Sequence, residues 1–415
     1  MTTQTTAPSK TGVVQVFWRY WLATTVSEVG SAMTAVALPL VAVTALNTTV
    51  LETTLLAATS QVAWLILGLP AGVIVQRYPL RGLQVTLDLV RLVAIGSIPV
   101  TWWMGQLTYL HLLVVAFVSG MATVLFAIGN STFLPAIIEK SELSSRNSLM
   151  SGTLAVTQTG GPSASGLLIQ LTGPVGVLAI DAVSYLVSAL TLHTLPERRP
   201  SAQSHVKTVQ LIREGWNHVV RHPVMRPCMI WATSMNFVNA ALVALTPLYL
   251  VREVNAPATV VGLVIAMDGV GALLGSAVAT KLAQRVGTAR AVIVAGSFGG
   301  TLALAIPLTT SLSTIYFYAL GMAGFSFAAV VGSIMTKTHR QTESPPELLS
   351  RVMATVRFVS WGALPLGAAL SGVLASAAGL RAALWAACVG ALLAPLTLLL
   401  SSVRRRRDLS DEPKT

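Results

Sequence analysis

The sequence predicts an all-α membrane protein in which twelve transmembrane helices form two six-helix halves that repeat in parallel. Three observations carry this. Of the 415 residues, 53% are hydrophobic and 10% charged, with a mean hydropathy of +0.71, whereas soluble domains carry about 25% charged residues. Twelve apolar stretches approach or exceed the ~20 residues needed to span a bilayer. They are too long for the ~10-residue alternating segments of a membrane barrel. Finally, short motifs of the first half recur in order in the second. The net charge of +12 would suggest nucleic acid in a soluble protein. Here the basic residues are spread over short loops, as membrane topology requires, and no nucleic-acid partner is expected.

The first six spans are placed at 18–45, 53–75, 84–104, 110–133, 149–171 and 175–195, and the second six at 229–251, 259–282, 291–308, 314–335, 352–377 and 382–403. The chain is thus read as a tail (1–17), a bundle (18–195), a linker (196–226), a second bundle (227–403) and a basic tail (404–415). Of the 27 Lys and Arg, only Arg252 and Arg381 fall in loops on the side opposite the termini, so both termini are expected in the cytoplasm. The start of the chain runs into an apolar stretch too long for a signal-peptide core, and no cleaved signal is expected. Arg404 to Arg407 would sit against anionic lipid. Cys228 and Cys388 lie in or beside spans far apart in sequence, which predicts neither a disulfide nor a metal site.

The linker holds Val206, Val209, Leu211, Ile212, Trp216, Val219 and Val220 among Lys207, Arg213, Glu214 and Arg221. This pattern suits a helix lying on the membrane surface, either as a plain tether or with a role of its own.

The repeat is legible in four places. VALPL at 36–40 returns as VALTPL at 243–248, and Gly68 with Gly72 returns as Gly271 with Gly275. Gly120-Met121-Ala122 returns as Gly321-Met322-Ala323, and ELSSR at 142–146 as ELLSR at 347–351. The offset stays near roughly 200 residues throughout, the mark of a duplicated unit. Parallel repeats of this kind pack about an axis along the membrane normal, with a cavity between them. In the second span, Gly68 and Gly72 share a helix face where another backbone can come close. A basic turn with Gln76, Arg77 and Arg81 follows, and Lys281, Arg285 and Arg290 follow the second pair.

With these features the chain resembles the major facilitator superfamily, and within it the bacterial enterobactin exporters and macrolide efflux pumps. The resemblance runs over 17–403. The superfamily's loop motif, a Gly, three residues, an Asp-Arg pair and further basic residues, falls on Gly72, Gln76, Arg77 and Arg81, with Gln76 in place of the acid. Gly161-Pro162 with Gly166 in the fifth span resembles part of the exporters' antiporter signature; an ordinary kinked packing helix is the other reading. Ile180-Asp181-Ala182 and Ser350-Arg351-Val352 are further matches. The resemblance implies a transporter of the bacterial inner membrane, a small-molecule substrate, no cofactor, and a monomer.

Ionisable residues within spans are costly and are therefore functional candidates. Glu28 lies about ten residues, or about 15 Å, into the first span, and Asp268 at similar depth in the eighth. Either could carry a coupling proton or face a cationic substrate, because an apolar surround disfavours the carboxylate; a neutral carboxyl bonded inside the bundle is the alternative. Asp181 is a third candidate, facing the cavity or holding a helix contact. Asp88 and Arg91 sit three apart on the third span and can pair. Arg357 in the eleventh span suits an inner gate or an anionic substrate. Trp64, Trp231 and Trp361 could line an apolar pocket or pack in the bundle, while Trp102 and Trp103 suit the interfacial belt. Gln61, Gln158, Asn236 and Asn239 could orient a substrate or bond between helices.

The leading functional reading is secondary export of amphipathic small molecules by proton antiport and alternating access. No GxxxxGK[ST] loop is present for nucleotide, and the six His residues form no hydrolytic grouping, so an enzyme is not expected. A lipid-modifying enzyme and a sensor or scaffold on the same fold are the competing classes.

Overall fold

The computed structural model describes residues 10–48, 50–197 and 208–411. All regular structure among them is helical. The helices run Lys10–Leu46, Val50–Leu67 with Pro70–Arg77, Leu80–Trp103, Tyr109–Ile137, Leu143–His193, Met225–Arg252, Ala258–Val286, Thr288–Ala303, Ile315–Glu343, Pro346–Ala378, and Leu380–Leu393 with Leu396–Leu399. Ten of the described helices are long and apolar enough to cross a membrane on their own. The second and fifth spans complete the twelve-helix fold.

Three spans depart in form from the reading of the sequence. The second is broken after Leu67, and its last turns restart at Pro70, whose missing N–H and fixed φ suit the first position of a helix. The fifth and sixth are one run, Leu143–His193, with a single non-helical residue at Gly173 (φ 73°). Only glycine adopts that conformation without penalty, so the reversal needs no loop.

The chain forms two compact units. The first comprises the chain up to Leu143 with Gly160–Ile212 and Pro345–Ala354; the second comprises Ser144–Thr159, Arg213–Ser344 and the residues from Thr355 onward. In each unit buried Val, Ile, Leu, Ala and aromatic side chains form the core. Many large apolar side chains, such as Val93, Leu171 and Leu400, point outward. Outward apolar surface is what lipid-facing helices require.

The linker helix Thr208–Arg221 buries Leu211 and Val219 and exposes Val209 and Trp216; Val206 and Lys207 lie outside the described residues. The basic run after the last span is not uniformly exposed. Arg404, Arg405 and Arg407 face outward while Arg406 is buried. The cause is a strap that folds back on the start of the ninth span. Thr288 N–H donates to Asp408 at 2.8 Å, Leu409 N–H donates to the Thr288 hydroxyl at 2.8 Å, and Ala289 N–H donates to the Arg407 carbonyl at 3.1 Å.

Candidate functional site

The first unit contains a polar core built by two helix faces. In the first span Ser27, Ser31 and Thr34, and in the sixth Asp181, Ser184, Tyr185 and Ser188, recur at intervals of three and four, so each set lies along one side of its helix. The two faces meet at Gly30, where a Cβ would collide with the Asp181 carboxylate and the Ser184 hydroxyl. Glycine is required there for the carboxyl to reach the first span.

Asp181 is fully buried. It accepts hydrogen bonds from Thr34 and, at 3.0 Å, from Ser184. Deeper in the same core Asp88 and Arg91, both buried, form an ion pair of 2.8 Å. Asp88 also accepts from Ser188 at 2.6 Å and from Ser27 at 3.4 Å. The Arg91 guanidinium lies 4.3 Å from the Phe126 ring centre and 4.8 Å from that of Tyr185. The Tyr185 hydroxyl is 3.0 Å from that of Ser31.

Beside this network is a cavity of about 350 Å³, within the range of small-molecule sites. Its apolar wall includes Leu38, Leu56, Trp64 and Ile95, and its hydroxyls are those of Ser31, Thr34, Ser119, Thr123 and Tyr185. Thr34 is therefore at once a wall of the cavity and a donor to Asp181. The sequence reading missed Thr34, Ser31 and Tyr185, although the three-and-four spacing of hydroxyls around Asp181 was a visible signal.

The other candidates are dispersed. Glu28 lies about 100° round the helix from Ser27 and is half-buried. Asp268 is half-buried in the second unit, near Ser326 of the tenth span. Arg357 stacks on Trp361 at 4.2 Å in that unit. Asn236 and Asn239 are half-buried on the seventh span, and Gln158 is exposed.

Trp231 packs inside the bundle. It is 1% exposed in the second core, seated over Gly332, where a Cβ would strike its ring; a bulky ring so packed fixes helix spacing. The side chains of Gln61 and Pro162 lie outside the described residues. Of the antiporter-like glycines, Gly161 makes a close approach, its Cβ position 2.6 Å from the Cβ of Ala32, whereas Gly166 faces open space.

The basic turn is anchored within the first unit. Arg81 pairs with Glu197 at 2.9 Å and donates to the Leu195 carbonyl at 2.9 Å; Arg77 is exposed. Gln76 accepts from Arg351 Nε at 2.6 Å and donates to the Glu347 carbonyl. Gly72 packs on the backbone of Ser350 and Arg351. Its repeat partners behave differently: Gly271 and Gly275 pack on the tenth span at Ala323 and Phe327. There the eighth span meets the start of the fifth through other residues, Thr280 with Ser148 at 3.0 Å and Ser276 opposite Gly152. Equivalent helices are thus in contact through non-equivalent glycines, because the chain duplication preserved the packing but not the residues that make it.

Residues 3–415 match the family described as "Transmembrane secretion effector". The chain belongs to this family of the major facilitator superfamily. Among relatives, the multidrug efflux pump Tap of Mycolicibacterium fortuitum is 25% identical over 400 residues, covering 92% of this chain and 95% of Tap. The enterobactin exporter EntS of Shigella boydii is 25% identical over 284 residues, 68% of this chain and 66% of EntS. The fold of this major facilitator protein is that of a bacterial homologue of the iron transporter ferroportin in an outward-facing state (TM-score 0.77, 14% identity, 93% of this chain and 98% of that one). It is also that of the fucose:proton symporter FucP of E. coli (TM-score 0.76, 12% identity, 94% and 98%). Family and fold are those of transporters, which are not enzymes.

Proposed function

We propose that this major facilitator protein is a secondary exporter of amphipathic small molecules, driven by proton antiport and working by alternating access. The observation that carries the reading is Thr34, which joins the cavity to the buried carboxyl of Asp181. An ionised Asp181 is held by donors from Thr34 and Ser184; a protonated one must instead donate. Cargo that takes the Thr34 hydroxyl as a partner removes one donor from the carboxylate and so favours its protonation. By linkage, a proton on Asp181 alters cargo affinity by the same factor. Glu28 in the first unit and Asp268 in the second are further protonatable carboxyls. Gln76, Arg351 and Glu347 serve as a gate clasp, with both termini in the cytoplasm and the protein working as a monomer.

The named functions of Tap and EntS support export of small molecules. The cavity's largely apolar wall with a few hydroxyls suits an amphipathic cargo. The test is proton movement in proteoliposomes under an imposed pH gradient, read with an internal pH dye while cationic dyes, macrolides and catecholates are offered in turn. Cargo-dependent proton flux that disappears in Asp181→Asn is the expected result. Transport with no accompanying proton flux would overturn the antiport reading.

A further inference from the structure

Five basic side chains of the second unit converge at the end of its spans that the loop charges assign to the cytoplasm. His339 and Arg340 lie near the end of Ile315–Glu343. His218 comes from the linker helix, His222 from the turn after it, and Arg406 from the strap. The His222 ring centre is 5.9 Å from that of His218 and 5.8 Å from that of His339. Arg340 and Arg406 act electrostatically on His339, and Arg406 acts also on His222.

His339, Arg340 and Arg406 are enclosed, while His218 and His222 are half-buried and Nδ1 of His222 accepts from the Val224 and Met225 N–H groups at 3.2 Å each. His339, Arg340 and Arg406 are 5%, 8% and 7% exposed. Both ring nitrogens of His339, Nε and Nη1 of Arg340, Nε of Arg406 and Nε2 of His218 are buried without a hydrogen-bond partner among the described residues. The described ion pairs, Arg81–Glu197 and Arg91–Asp88, involve none of them. A buried guanidinium with open donors and no counter-charge is strongly unfavourable. The strap nevertheless turns Arg406 inward, held there by the bonds between Thr288, Asp408 and Leu409, while its three neighbouring arginines face out.

We propose that this cluster is a phosphate-binding site. A phosphate group brings negative charge and several acceptor oxygens, enough to engage two guanidinium edges and imidazole N–H groups together, and Arg matches its geometry in bidentate fashion. The group reaches the site either as the headgroup of an anionic phospholipid or as a free phosphate ester. The site is independent of the export reading.

The test uses the full chain in detergent, titrated separately with inorganic phosphate, dioctanoyl phosphatidylglycerol and the phosphate-free dioctanoylglycerol, and followed by thermal unfolding. A saturable rise in the midpoint of several degrees is expected with a phosphate-bearing ligand and none with dioctanoylglycerol. Arg406→Gln and His339→Gln should each weaken that ligand about tenfold, the loss of one charge-assisted bond. A response to phosphatidylglycerol alone assigns the site to a lipid headgroup; a response to inorganic phosphate as well assigns it to phosphate itself. No shift with either ligand, a shift unchanged in both variants, or a shift reproduced by sodium chloride at matched ionic strength would overturn the proposal.

Discussion

Nε of Arg351 donates to Oε1 of Gln76 at 2.6 Å, and the Gln76 amide donates onward to the Glu347 carbonyl. One neutral side chain thereby does two jobs, acceptor and donor, of which a carboxylate could do only the first. Gln76→Ala leaves a buried arginine N–H unanswered at that contact, and a loss of about 1–3 kcal/mol in unfolding stability is expected. Gln76→Glu gains an ion pair with Arg351 but loses the bond to Glu347, so its effect should be much smaller than that of alanine. Denaturant unfolding of the purified proteins checks both.

Gly72 faces the same helix start, and a Cβ there would stand 2.7 Å from the Ser350 carbonyl oxygen and 2.8 Å from the Arg351 Cα. Backbone cannot move aside as a flexible side chain can. Gly72→Val is expected to separate the two helices and abolish transport, whereas Gly166→Ala, which meets open space, should leave transport within about twofold of wild type. Equal activity of the two variants in a cell-based efflux assay would contradict this.

Asp181→Asn keeps one of the two acceptor oxygens that Thr34 and Ser184 use and turns the other into a donor, as in the protonated acid, but has no proton to exchange. Proton-driven export should be lost while expression and cargo binding persist. Glu28→Gln is expected to abolish proton-driven efflux with normal expression if Glu28 is also on the proton path; unchanged transport would remove it from that path. Dye efflux under a defined pH gradient, with cargo binding measured separately, distinguishes loss of coupling from loss of fold.

The Asp88–Arg91 pair is enclosed on all sides. Arg91→Met should destabilise by about 3–5 kcal/mol because Asp88 remains as an uncompensated buried charge. Adding Asp88→Asn should recover a large part of the loss. A double variant no more stable than Arg91→Met alone would show that the arginine matters for its stacking on Phe126 and Tyr185 rather than for its charge.

His218 and His222 lie outside the spans, and burial holds both below the usual histidine value; for His222 the charges of His218 and Arg406 add to burial. The unfolded chain therefore binds protons that the folded one resists, and stability falls as pH drops below the ordinary value of 6.5. The unfolding midpoint should decline on going from about pH 8 to pH 5, and the slope should flatten in His222→Gln. An equal slope in the variant would rule out this histidine as its source.

The sequence by itself determined the class, the number of spans and the duplication, because a bilayer enforces long apolar helices and a repeat preserves short motifs in order. It also singled out Asp181, the Asp88–Arg91 spacing and the Gln76 turn, since polar groups in hydrocarbon are conspicuous against their background. Their partners were not legible. Thr34 and Ser184 gain meaning only when the glycine at position 30 lets the first and sixth spans touch, and a hydroxyl within a span looks the same whether it bonds its own helix or a carboxyl on another. Trp231 stayed open between pocket lining and packing because hydropathy does not say which face of an apolar helix meets the core. The inward turn of Arg406 was likewise hidden within a basic run, because it depends on Thr288 and Asp408, which lie 120 residues apart and meet only in the folded chain.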